Sequence, residues 1–275
     1  MTGHVHDHEQ QTAGLPWATI LTALVLLSVA VGYVLLAARA RRSNPHAGWS
    51  RWRTGFFLTG TALLALALLP PLATAAHDSF LGHMLQHLLI GMYAPLALML
   101  GAPLTLLLRT LPVRRARRLT AVLRSRPAHL IANPVTALVL SVGTLPVLYF
   151  TGLYNASTGS EGLHWLIHLH FLLSGCLFVW VIAGPDPAPA RPRVPVRLVV
   201  LGVAIAAHAL ISQAMYAGYF IDIHAPVAQV QAGAEAMYYG GDIAELLLAV
   251  ALVATWRPAR RIAAPPAGRR VPSAP

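Results

Sequence analysis

Two pairs of histidines carry the clearest chemistry that residue type and spacing allow. His83 and His87 bracket the run His-Met-Leu-Gln-His, and His164 and His168 bracket His-Trp-Leu-Ile-His. On an α-helix, residues four apart share a face, with side chains about 6 Å apart. Each run therefore offers two imidazoles from one helix to a metal ion. The plainer use of such histidines is bonding water or lipid headgroups at a membrane surface. His77 stands shortly before the first pair and could join it. His170 lies about 200° round the helix from His168 and cannot share its face, so hydrogen bonding between helices is its simpler use. His208 sits within a later apolar run and has the same two uses, metal ligand or hydrogen-bond partner. Asp242 and Glu245, spaced i, i+3, would serve as ligands, as charges near a helix N-terminus, or as partners that orient histidines. Met84, Met92, Met215 and Met237 add thioethers suited to Cu(I), although packing is the commoner role of methionine. At the N-terminus, removal of Met1 would leave Thr2-Gly3-His4. Its amine, two amide nitrogens and imidazole would form a square-planar set for Cu(II).

These residues must be held in place by helices in lipid. The chain has 275 residues, of which 56% are hydrophobic and 11% charged, and its mean hydropathy is +0.61. Soluble domains carry about 25% charged residues. Seven apolar runs stand out, at 17–38, 54–75, 82–108, 133–150, 164–184, 196–219 and 235–256. Each is long enough to cross a hydrocarbon layer of about 30 Å, the fourth barely. The first run follows His4, Asp7 and Glu9 with no basic residue before it, so it reads as a retained helix and not a cleaved leader.

All 20 basic residues are arginines, and they fall only in alternate loops and the C-terminal tail. The loop 109–131 holds seven, whereas 76–81, 151–162 and 220–234 hold none. That asymmetry is the positive-inside pattern, in which arginines face anionic lipid on the cytoplasmic side. It excludes a nucleic-acid patch as the reason for the net charge of +11. The expected architecture is all-α: a polytopic seven-transmembrane-helix bundle with its N-terminus outside and its C-terminus in the cytoplasm. It divides into an exposed histidine-rich tail (1–16), the helical domain (17–256) and a basic tail (257–275). Cys176 is alone in an apolar run, so no internal disulfide is possible. The absence of lysine excludes a retinal Schiff base. An intramembrane zinc hydrolase and a haem b protein with one axial histidine from each of two helices remain as other classes.

Several stretches resemble the CtaG family of cytochrome c oxidase assembly factors, of the seven-span type. They are His83-Met84-Leu85-Gln86-His87-Leu88-Leu89, Ala94-Pro95-Leu96 and Leu100-Gly101-Ala102-Pro103-Leu104 in the third run. His164, His168 and His170, Gly175-Cys176-Leu177-Phe178 and Gly184-Pro185-Asp186-Pro187 follow the same likeness further on. It extends from about Arg51 to Trp256, and is looser over Ala236 to Asp242. The resemblance implies a bacterial plasma-membrane protein that matures a haem-copper oxidase and delivers copper, not an enzyme. It implies an oxidase subunit as partner, with copper chaperones of the outer compartment as suppliers.

Overall fold

The computed structural model describes residues 15–43, 48–189 and 191–256, with side chains from residue 17 onward. The Thr2-Gly3-His4 tail, His46 and the basic tail lie outside the described residues. Everything described is helix, turn or loop, with no strand among the described residues. The elements are α1 (Leu15–Ser43), α2 (Arg51–Leu68), α3 (Leu72–Asp78), α4 (Phe80–Leu88), a π-helical turn (Leu89–Tyr93), α5 (Ala94–Leu100), α6 (Pro103–Thr110), α7 (Val113–Leu123) and α8 (Arg126–Ile131). They continue as α9 (Pro134–Ser141), α10 (Thr144–Tyr149), α11 (Leu153–Thr158), α12 (Glu161–Ile182), α13 (Val194–Tyr216) and α14 (Val227–Ala254).

Five helices are long and apolar enough to cross a membrane, and a sixth crossing is made if α2 and α3, bent by 43°, count as one. The expected fourth span is shorter and is split into α9 and α10. Pro146 explains the break. It has no N–H for the carbonyl of Val142, and its ring crowds that turn. His170 offers its Nε2 to the carbonyl of Leu140 at 3.1 Å, which also accepts from Thr144 Oγ1 at 3.2 Å, and lies 3.3 Å from that hydroxyl.

Prolines shape the third span too, in two different ways. Pro95 cannot donate to Gly91 O, and the helix absorbs the loss by widening into the π turn instead of breaking. Pro103 marks a true stop. Ala102 takes φ 55° in the left-handed region, and α6 restarts in a new direction. The expected run 82–108 is therefore a membrane helix from Phe80 to Leu100 and a separate helix after it. The start of α6 is closed by a distant residue. Asp186 accepts from Leu104 N at 2.9 Å, Thr105 N at 2.8 Å and Thr105 Oγ1. A buried carboxylate here satisfies amides that the helix start leaves unpaired and sits at the positive end of the helix dipole. Asp186→Ala should cost about 2 kcal/mol. Thermal unfolding should show it, with a smaller loss for Asp186→Asn, which keeps one acceptor.

The third span is the most buried of the long helices and α1 the least. α2 packs on the α5 half of that span, α14 on the α4 half, and α12 lies along the π turn and α5. α13 pairs with α14, while α1 touches α2 and α6 and turns most of its leucines and valines outward. Outward apolar side chains are the normal state of a helix solvated by lipid.

Candidate functional site

At the end of the bundle remote from the arginine loops, α3, α4, α11 and the start of α12 meet. α3 is tipped over this end by the bend after α2. The bend follows from Pro71, which cannot donate to Ala67 O. Gln86 Nε2 donates to that carbonyl instead, at 2.8 Å. His77 closes α3 as its last turn, not a loop residue as the sequence implies, and its ring stacks on His164 with centroids 5.2 Å apart.

His164 in turn lies 4.2 Å from His168 and 6.5 Å from His83, ring centre to ring centre. His83, His87 and His168 are buried, and His168 Nε2 has no protein partner. A cavity of about 480 Å³ opens beside them, with His77, Gln86, His164, Trp165 and His168 in its wall. Aromatic groups fix the imidazoles from behind. Tyr154 packs edge-on to His83 at 4.9 Å, and the hydroxyl of Tyr149 lies 3.4 Å from His83 Nε2. The same hydroxyl is 3.9 Å from Met84 Sδ, which places a wholly buried thioether just behind the histidines.

His87 lies one turn deeper and belongs to a second group. Its ring meets Phe171 edge-on at 4.2 Å. It shares a small cavity of about 50 Å³ with His208, Glu245 and Ser174. Neither ring nitrogen of His208 has a protein partner, nor does Oε2 of Glu245, although both residues are almost fully buried. Buried polar groups are normally satisfied, and a polar cavity of this size has room for a bridging water. The ring of His208 packs closely against Gly241 of α14. A Cβ at Gly241 would fall 2.0 Å from its Cε1.

The histidines therefore form two groups in depth: His77, His83, His164 and His168 near the end of the bundle, and His87 with His208 and Glu245 further in. His87 stands within electrostatic reach of both His168 and His208. His170 is turned away, toward α9. Asp242 is half-buried beside Glu245 and lines neither cavity. Met215 and Met237 are wholly buried packing residues, and Met92 borders the inner cavity. As the side chains stand, no three His, Cys, Asp or Glu residues among those described are disposed to hold a metal ion. The outer rings are neighbours around an open space, not a closed coordination shell.

The model of the cytochrome c oxidase caa3 assembly factor family (Caa3_CtaG) matches residues 31–259. The chain belongs to that family. The match takes in both histidine pairs, the inner cavity, the histidine-bearing wall of the outer one and the Asp186 loop. Relatives include an uncharacterized protein of Mycobacterium bovis and one of Mycobacterium tuberculosis, each 32% identical over 256 residues and covering 86% of this chain. An uncharacterized protein of Mycobacterium leprae is 29% identical over 254 residues. The chain spans 38% of the length of these relatives. No solved structure matches.

Within this member of the family, Tyr149, Tyr154, Gln86 and Ser174 are site residues that sequence reasoning passed over. Gln86 left a signal, since an amide inside an apolar run is costly unless it has a partner. Tyr149 and Tyr154 left none. They belong to the fourth run and to the loop after it, and only packing brings them to His83.

Proposed function

We propose that this member of the caa3 assembly factor family accepts copper at the outer membrane face and passes it to a haem-copper oxidase subunit during assembly. Copper is the cargo. The observation that carries the reading is the gathering of His77, His83, His164 and His168 beside an open cavity, at the end of the bundle away from the arginines. Four neutral imidazoles closed on one ion would retain it. Rings that are adjacent but not closed into a shell suit two or three contacts at a time, which favours transfer. Met84 behind them is a soft donor for Cu(I). Copper chaperones of the outer compartment would be its suppliers.

The reading requires the histidines to face outward. In the proposed topology the α9–α10 segment completes a seventh crossing, about 24 Å long at 1.5 Å per residue, in a locally thinned bilayer. The N-terminus is then outside and the C-terminus in the cytoplasm of a bacterial plasma membrane. Reporter fusions after Arg118 and Arg261 should read cytoplasmic, and those after Ser157 and Gln229 should read external. A cytoplasmic signal at Ser157 would overturn this topology.

A second reading comes from His87, His208 and Glu245, which together are the donor set of a zinc hydrolase. Their cavity of about 50 Å³ leaves no room for a lipid ester, so cargo handling is preferred. Metal analysis of protein purified without a histidine tag separates the cases. Copper without turnover supports the assembly role, zinc with lipid hydrolysis supports the enzyme, and a Soret band would mean haem.

A further inference from the structure

The opposite end of the bundle carries a larger feature that the copper reading does not use. α14 leans on the α4 half of the third span and α2 on the α5 half, so the two helices pack on it at different levels. Between them is a crevice of about 1480 Å³. That exceeds the roughly 300–1,000 Å³ of small-molecule pockets. Its walls are apolar, with Phe56, Leu63, Leu96, Leu247 and Val250 among them, and Trp52 and Trp256 flank it. Phe56, Leu247 and Val250 are also exposed on the outer surface of the bundle, so the crevice is continuous with the lipid-facing side.

Five arginines line it: Arg53, Arg109, Arg191, Arg193 and Arg197. No acidic residue does. The nearby Asp186 directs its carboxylate to the start of α6. Arg191 and Arg197 each give one N–H to carbonyls at the end of α12, at Trp180 (3.0 Å) and Ile182 (2.8 Å), and Arg191 also bonds Asp186 O at 2.6 Å. Their Nε groups are buried without a partner. Arg53 and Arg109 both lie over the Trp49 ring system, 4.9 and 5.6 Å from its centre. Among the described residues the recorded ion pair is His224 with Asp222, so none of the five meets a carboxylate. Arg197 is buried and Arg191 half-buried, with Asp186 the nearby opposite charge on Arg191, so positive charge here exceeds its counter-charge, which is costly.

We propose that this crevice binds one anionic phospholipid of the cytoplasmic leaflet, its phosphate among Arg191, Arg193 and Arg197 and its acyl chains along α2 and α14. Charge, apolar length and the opening to the bilayer are met together by a phospholipid. Guanidinium groups recognise phosphate by charge-assisted, bidentate bonds. Loop burial and the adjacent Arg197 charge also hold Arg191 below its ordinary basicity, which an arriving phosphate would reverse.

The test is native mass spectrometry of the full chain from mixed micelles of phosphatidylglycerol and phosphatidylcholine. One phosphatidylglycerol should survive activation that strips phosphatidylcholine, with at least tenfold preference. Arg191→Gln/Arg197→Gln should abolish the preference. Because those arginines also close α12, two variants that spare it are needed. Arg193→Gln should lower retention severalfold, and Ala254→Trp, which fills the crevice and leaves every arginine, should do the same. Arg114→Gln/Arg117→Gln on the surface helix α7 should change nothing. Equal retention of both lipids, or an α7 variant as damaging as the crevice variants, would overturn the proposal. Displacement by inorganic phosphate alone would overturn the lipid and leave a simple anion site.

Discussion

Cells carrying His83→Ala together with His168→Ala will show cytochrome c oxidase activity reduced at least about tenfold, the loss typical when metal-site groups are removed. The chain itself should remain inserted at its normal level. His168 lines the outer cavity, and the one hydrogen bond of His83 is a long contact of 3.4 Å to the Tyr149 hydroxyl. Truncating them opens space beside an existing cavity instead of leaving a backbone carbonyl unpaired. His164 and His77 would remain and could still offer two nitrogens, so excess copper in the medium should restore part of the activity. His170→Ala provides the contrast. It removes one of two side-chain donors to Leu140 O and the contact to Thr144 Oγ1, so it should lower the melting temperature and leave copper handling intact. His46→Ser, in an arginine-bearing loop, should have no effect. Oxidase activity and copper content, measured beside an immunoblot of the chain, decide the matter. Normal activity in the double variant would remove the outer histidines from any role in assembly.

Gly175→Val should prevent the bundle from forming. A Cβ at Gly175 would lie 2.1 Å from the carbonyl oxygen of Gly91 and 2.9 Å from Pro95 Cγ. That carbonyl is the one Pro95 leaves without its helical donor, and it lies in the π turn against which α12 packs. Backbone cannot swing aside as a flexible side chain can, so α12 would have to withdraw along its length. Overpacking usually costs about 1–3 kcal/mol, and a clash with fixed backbone belongs above that range. The withdrawal would also part His168 from His83. Detergent-solubilised protein should lose its monodisperse peak in size-exclusion chromatography. A variant that eluted normally would show that α12 and the π turn are not locked together.

How much was legible beforehand follows from which forces act locally. Lipid solvation acts on every residue of a run, so long apolar segments and the alternation of arginine loops can be read directly from the chain. Helical spacing is also local, which is why His164 and His168 emerge side by side and why His170 could be set apart from them. Prolines announced irregularity at residues 95, 103 and 146, but not its form. One became a π turn, one a stop with a left-handed Ala102, and one split a span, because the outcome depends on which neighbour can satisfy the freed carbonyl. Gln86, distant in sequence, satisfies the Ala67 carbonyl that Pro71 frees, whereas the Val142 carbonyl freed by Pro146 takes a local bond from Leu145 N.

The sequence by itself determined the solvent, the helical class, the family likeness and the existence of two histidine-bearing helices. Only the tertiary structure decided how those histidines are grouped. The i, i+4 spacing of His83 and His87 placed them on one face, yet one turn of depth separates their surroundings. At the upper level the bent α3 and the start of α12 bring His77 and His164, and at the lower level α13 and α14 bring His208 and Glu245. Depth along a helix can be read from one chain segment alone. Which partner waits at each depth is set by contacts between segments far apart in sequence, and local periodicity carries no record of those.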